Sequence, residues 1–178
     1  MSSEKLIEKI ETVVKSYQDF PKKGILFRDC LPILQNPELF EDLISVFENY
    51  LKSNGSVVHA VSGIEARGFL IGPPLALKLK VPFVPIRKAG KLPGVVIKQQ
   101  YELEYGTDTV EIQEDSLKPG QNVVLIDDLI ATGGSMAAAV NLIKTVGATV
   151  EHCLSVIELT DLKGRQKIDA PVYSVFKY

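Results

Sequence analysis

Two adjacent carboxylates, Asp127 and Asp128, close the apolar run Val123-Val124-Leu125-Ile126, and Leu129-Ile130-Ala131-Thr132-Gly133-Gly134-Ser135 follows them. The apolar run predicts a buried strand, and the small residues after it lead directly into a predicted helix from about Gly134 to Val146. Glycines at 133 and 134 let backbone N–H groups crowd around an anion, Thr132 and Ser135 offer hydroxyls, and the helix dipole adds partial positive charge. The expected chemistry is a phosphate cradle. No Gly-Lys-Ser/Thr follows, so it is not a Walker A loop, and the glycine spacing is not the GxGxxG of dinucleotide sites. The acids upstream suit sugar hydroxyls, because a carboxylate accepts hydrogen bonds from a vicinal diol and repels a phosphate. Solvation of a strand end would explain the pair on its own, but not the loop joined to it.

Charge along the chain points to a second anion site. The formal net charge of −2 argues against a general nucleic-acid or membrane-surface field. Between Glu65 and Glu102, however, there is no acid, and the interval holds Arg67, Lys78, Lys80, Arg87, Lys88, Lys91 and Lys98. The expectation is a local polyanion site, with Lys78 and Lys80 assigned to a solvated helix end. His59 and His152 lie in strand-like contexts without a paired ligand and read as structural. Cys30 and Cys153 read as reduced thiols, since a chain with an ordinary core needs no disulfide.

The elements that must position these groups follow from periodicity. Residues 5–17 place Leu6, Ile10, Val13 or Val14, and Tyr17 at helical spacing, predicting a first amphipathic helix that FPKKGILFRD then breaks. A second helix opens at Asn36-Pro37, buries Leu39, Phe40, Leu43, Ile44, Phe47 and Leu51, and ends at Asn54-Gly55. VVHAVSG is a buried strand, and a helix runs from the GIEARG segment to about Leu79. Pro82 to Ile86 is another strand, and Gly90-Lys91-Leu92-Pro93-Gly94 has the glycines and proline of a mobile loop. A hairpin follows, with arms near Val95–Tyr105 and Thr109–Ile112 and Gly106 at its turn, then the strand of the acid pair, its helix, and a strand from Cys153 to Glu158. Alternating strands and helices predict an α/β fold, a twisted and mostly parallel sheet flanked by helices, with ligands outside the carboxyl ends of the strands.

At 178 residues, with 46% hydrophobic and 24% charged, the chain is expected to form one globular domain. No apolar run approaches the roughly 18 residues that span a bilayer, and the N-terminus lacks the pattern of a secretion signal. A cytoplasmic protein without membrane or nucleic-acid partners is expected.

The acid pair with Ala131-Thr132-Gly133-Gly134-Ser135 resembles the phosphoribosyl pyrophosphate motif of the type I phosphoribosyltransferases. FPKKGILFRD, GIEARGF, IRKAGKLPG and YELEYGTD, in the same order, resemble the members of that family that act on adenine, across nearly the whole chain. The resemblance implies the type I phosphoribosyltransferase fold over residues 1–178, with about 1–35 forming a hood over the base. It implies transfer of the 5-phosphoribosyl group of phosphoribosyl pyrophosphate to N9 of adenine, giving AMP and pyrophosphate in purine salvage.

Residue by residue, the resemblance assigns Asp127 and Asp128 to the ribose hydroxyls and Ala131, Thr132, Gly133, Gly134 and Ser135 to the 5-phosphate. It assigns Arg67, Arg87, Lys88 and Lys91 to pyrophosphate, and Leu26, Phe27, Arg28 and Leu129 to adenine. Glu104 matches the acid-base carboxylate, though Glu102 and Glu111 are equivalent by type, and Tyr105 would close over the substrates with it. Mg2+ is expected through substrate oxygens and water rather than a protein cage, and a homodimer is implied. The chain departs from the common pattern at Cys30-Leu31 and Ala66, neither of which removes a charged group.

Two other readings stay open. A transferase for hypoxanthine, guanine, xanthine or orotate would share the ribose and phosphate site and need another hood. A regulatory relative would bind the sugar phosphate without catalysis, and should lack the Glu104 segment or carry a DNA-binding domain. A metal-dependent phosphatase built on Asp127 and Asp128 would need further ligands.

Overall fold

Leu6 and Ile10, one helical turn apart, form the buried face of α1 (Ser3–Glu11). The computed structural model describes residues 3–102 and 106–178, and the chain divides into two units, Met1–Asn54 and Gly55–Tyr178. In the first unit the helix expected over 5–17 stops at Glu11. Adjacent β-branched Val13 and Val14 disfavour its continuation, and Tyr17 belongs instead to β1 (Lys15–Gln18), which pairs antiparallel with β2 (Leu26–Asp29) so that Tyr17 faces Phe27. A short α2 (Leu31–Leu34) leads to α3 (Pro37–Ser53). The Asn36 side chain accepts hydrogen bonds from the N–H groups of Glu38 and Leu39, and Pro37 occupies the first turn, where its missing N–H costs nothing. The apolar stripe of α3 buries Leu39, Leu43, Ile44, Val46, Phe47 and Leu51. Lys9 of α1 ties to it through Asp42 at 2.7 Å.

The second unit is a seven-stranded sheet. Its strands are β3 (Ala60–Ile64), β4 (Phe83–Lys88), β5 (Val96–Glu102), β6 (Thr107–Gln113), β7 (Asn122–Ile130), β8 (Thr149–Glu158) and β9 (Val172–Lys177). They lie in the order β5-β6-β4-β3-β7-β8-β9. The β3, β4, β7, β8 and β9 pairings are parallel, and the β5–β6 hairpin adds antiparallel at the β4 edge. The α/β expectation holds, with β9 as an additional strand.

Side-chain alternation on β7 distributes its residues between two helices. Leu125 joins the core packed on α5 (Gly134–Thr145). Ile126 lies beside Gly72 of α4 (Gly68–Leu79), where a Cβ on the glycine would come within 2.4 Å of the Phe83 ring and 3.3 Å of Ile126. A glycine is required there for the helix to approach the sheet. Both helices begin just beyond strand carboxyl ends, α4 after β3 and α5 after β7, which brings loop, strand end and helix start together at one rim.

Candidate active site

At the carboxyl end of β7 a cavity of about 210 Å³ is lined by Arg67, Asp127, Asp128 and the run Leu129–Gly133, with Ser135 and Met136. The sequence-predicted acid pair, phosphate loop and one arginine therefore meet in one place. Asp128 is buried and forms an ion pair with Nε of Arg67 at 2.5 Å, while Oδ1 of Asp127 accepts the N–H of Asp128 at 2.9 Å. Burial and the neighbouring Asp128 charge hold the Asp127 carboxyl well above the usual range.

Gly133 is the N-cap of α5 with φ 78°, and no side chain caps the helix. Its first-turn N–H groups lack the oxygen that Ser, Thr or Asp at this position would supply, at a wall that Gly133, Ser135 and Met136 give to the cavity. That is the arrangement that takes an anion. Gly134 is overlain by the end of β5, since a Cβ there would meet the Glu102 carbonyl oxygen at 3.1 Å and the Tyr101 ring at 3.4 Å. Burial, then the Asp108 charge, push the Tyr101 phenol up to about 12.

The cations expected to form a polyanion site are assembled around acids that sequence reasoning missed. Glu65, at the end of β3, accepts from Nε and an Nη of Arg87 at 3.1 and 3.3 Å, from the N–H of Lys88 at 3.2 Å, and from Nζ of Lys91 at 2.6 Å. The Arg87 guanidinium, with Lys91 and the Lys88 amide behind it, lowers the Glu65 carboxyl to about 2. Lys88 pairs with Asp108 at 3.1 Å. Glu111, buried at 1% exposure, accepts the N–H groups of Lys91 and Leu92, both at 2.8 Å, and so fixes the turn after β4. Burial raises its carboxyl, but the backbone amides of Gly90, Leu92 and Lys91, with the Lys98 charge, outweigh that and leave it lowered. The expected open cluster of positive charge is thus a lattice of ion pairs.

The remaining predicted residues are placed as follows. Phe27 is half-buried and meets Phe20 edge-on with centroids 5.1 Å apart. Leu26 is exposed, and Arg28 donates to the Ser16 hydroxyl at 2.6 Å. Glu104 and Tyr105 lie outside the described residues. Cys153 is buried, its thiol pushed up to about 12 by that burial, and His152 is buried in β8. A cis peptide joins Glu65 to Ala66 between the strand end and Arg67.

An acid pair at a parallel strand end, continuing through a positive-φ glycine into an uncapped helix, makes this an α/β protein whose rim offers carboxylate acceptors beside an anion site. A family profile described as the phosphoribosyl transferase domain matches residues 31–178. Within that class the chain belongs to the adenine phosphoribosyltransferase family. The adenine phosphoribosyltransferase of Rattus norvegicus is 46% identical over 178 residues, covering 99% of each chain. The crystal structure of the Saccharomyces cerevisiae enzyme, complexed with an imino-altritol bisphosphate and adenine, superposes with a TM-score of 0.94 at 46% identity, covering 97% of this chain and 99% of that one. A Trypanosoma brucei relative, solved with AMP, pyrophosphate and ribose-5-phosphate, gives 0.88 at 35% identity over 97% of this chain and 79% of its own.

Proposed function

We propose that this protein transfers the phosphoribosyl group of phosphoribosyl pyrophosphate to N9 of adenine, yielding AMP and pyrophosphate in purine salvage. The observation that carries the reading is the cavity that holds Asp127, Asp128, Arg67 and the uncapped start of α5 together. In the proposed assignment the 5-phosphate takes the N–H groups and hydroxyls from Ala131 to Ser135. The ribose 2- and 3-hydroxyls donate to Asp127 and Asp128. The family resemblance assigns adenine to Leu26, Phe27, Arg28 and Leu129, with the Phe27 ring suited to stacking.

As the C1–oxygen bond breaks, its electron pair goes to pyrophosphate and positive character develops on the ribose, as in glycoside cleavage. Arg67, Arg87, Lys88 and Lys91 stabilise the departing charge. The ion pairs of Arg87 and Lys91 with Glu65 and of Lys88 with Asp108 hold these guanidinium and ammonium groups in place before the substrate arrives, which is how electrostatic catalysis avoids reorganisation cost. N9 forms the new bond, Glu104 is assigned the purine proton, and Tyr105 is assigned to close over the substrates. Among the described residues no three His, Cys, Asp or Glu side chains gather into a metal cage. That donor set, two strand-end carboxylates beside an anion loop, fits Mg2+ bound through substrate oxygens and water. When bound, the ion supplies charge neutralisation of pyrophosphate.

A cytoplasmic homodimer completes the proposal; among the described residues no helix is long and apolar enough to cross a membrane. The test is to incubate purified protein, Mg2+ and phosphoribosyl pyrophosphate with adenine, hypoxanthine, guanine, xanthine and orotate separately, and to identify the nucleotide formed. AMP from adenine is expected. Product only from another base would replace the adenine assignment, and no product from any base would leave a binding protein on this scaffold.

A further inference from the structure

The 5-phosphate loop has no side-chain cap, so something else must set where its N–H groups point. The nearest neighbour of Gly133 is a turn 31 residues further on. A Cβ built on Gly133 would lie 2.2 Å from the carbonyl oxygen of Gly164, and one built on Gly164 would lie 2.2 Å from the Ala131 carbonyl oxygen and 2.7 Å from the Gly133 nitrogen. Real Cβ atoms do not approach backbone this closely, so the two backbones rest on each other only because both residues are glycine. Gly164 is buried, and it sits where two short 3₁₀ turns meet, Thr160–Leu162 and Gly164–Lys167.

That turn is anchored to the sheet by the next residue. Arg165 donates Nε to one Glu158 oxygen at 2.9 Å and an Nη to the other at 2.5 Å, and its remaining Nη donates to the Val172 carbonyl at 2.7 Å. One guanidinium therefore joins the end of β8 to the start of β9. Glu158, 4% exposed, also accepts the Ser174 hydroxyl at 2.8 Å, and the Ser155 hydroxyl donates to Ser174 at 2.8 Å. Beside them the Leu159 N–H donates to the Ile130 carbonyl at the end of β7, the residue from which the phosphate loop departs. The polar side chains tie β8 to β9, the Leu159 backbone ties them to β7, and the turn they anchor ends in a backbone-to-backbone contact on the loop.

We infer that Gly164 is a positioning residue for the 5-phosphate, with the Arg165–Glu158 pair as its anchor: together they fix the Ala131–Gly133 backbone against the sheet. The inference rests on the proposed assignment of that loop to the 5-phosphate. Anion binding by N–H groups depends on their being held within about 0.5 Å of the productive geometry, and a glycine contact gives a separation that no side chain can widen. Arg165 suits the anchor because its planar fork serves two oxygens of one carboxylate and a carbonyl at once, which a lysine ammonium cannot.

The experiment measures ribose 5-phosphate and pyrophosphate binding separately, by calorimetry with Mg2+, for the parent, Gly164→Ala, Arg165→Lys and a Thr132→Ala/Ser135→Ala control. Thermal melts of each protein report folding. Gly164→Ala should weaken ribose 5-phosphate by about tenfold or more, the loss of roughly one well-made hydrogen bond to a charged group, and leave pyrophosphate within about twofold. Arg165→Lys should show the same selectivity with a smaller loss, and it decides the matter if Gly164→Ala does not fold. Equal weakening of both ligands would mean a merely structural role and would overturn the inference. Parental ribose 5-phosphate affinity in the Gly164 and Arg165 variants, with the control impaired, would overturn it while leaving the loop assignment standing. Parental affinity in the control as well as in the Gly164 and Arg165 variants would remove the loop assignment itself.

Discussion

Glu65 is the acid on which the cation lattice turns, and replacing it with glutamine tests that arrangement quantitatively. Its carboxyl sits at about 2 against an ordinary value of 4.5, which corresponds to a ceiling of about 3.4 kcal/mol of folding stability at neutral pH. Arg87 and Lys91 are 34% and 46% exposed, so solvent screening reduces this to roughly 1–2 kcal/mol. A carboxylate with a lowered folded-state value stabilises fully above pH 4.5, and the contribution is lost as the pH falls towards 2. Urea denaturation of parent and Glu65→Gln at pH 7, 4.5 and 3 should therefore show a gap near 1–2 kcal/mol at pH 7 that shrinks to less than about half at pH 3. Other lowered carboxylates, such as Asp108 and Glu158, titrate in both proteins and cancel in the difference. A gap that is the same at all three pH values would refute the electrostatic account and leave only shape. No gap at pH 7 would refute the lattice as a source of stability.

Arg87→Ala should weaken phosphoribosyl pyrophosphate about 10- to 100-fold, as expected for charge-assisted hydrogen bonds, and adenine hardly at all; calorimetric titration of each ligand checks this, and equal losses would remove the pyrophosphate role. Asp127→Asn and Asp128→Asn should each fold, by thermal melt, and lose most turnover, since strand-end acids serving ribose contribute to binding and little to the core; parental turnover in both would remove the sugar assignment. Glu104→Gln should bind both substrates but slow single-turnover AMP formation about 100- to 10,000-fold, and an unchanged rate would exclude an essential proton transfer there.

The parts of this fold legible from sequence are those whose signals are local. Asn36-Pro37 announces α3, and the run from Val123 through Ser135 carries strand, acids, loop and helix start in consecutive residues. Tyr17 shows the limit of periodicity: it fits a helical stripe, yet pairing with Phe27 across a hairpin draws it into a strand. The acids of the cation lattice escaped for a related reason. Glu65 and Arg87 are 22 residues apart, and Glu111 meets Lys98 only through the β5–β6 register, so charge spacing along the chain gave no warning that the cations arrive already paired. Gly164 had no local signal either. A Lys-Gly-Arg triplet in a loop reads as a turn, and only the return of the chain to Gly133 gives that glycine a purpose.

The Arg67–Asp128 ion pair joins two groups with different proposed tasks, Asp128 for ribose hydroxyls and Arg67 for pyrophosphate. A ligand that engages only Arg67 leaves the buried Asp128 without its counter-charge, which is costly, whereas Arg67, 45% exposed, is solvated when released. Pyrophosphate alone would strip Asp128 of its cation with no diol to follow, while ribose 5-phosphate brings hydroxyls that can donate to Asp128 in place of Arg67. The intact sugar pyrophosphate exchanges both partners in one event. On the proposed roles, the two halves of that substrate are energetically coupled through this pair, so ribose 5-phosphate and pyrophosphate together should bind more tightly than the product of their separate affinities, each raising the other's by the same factor.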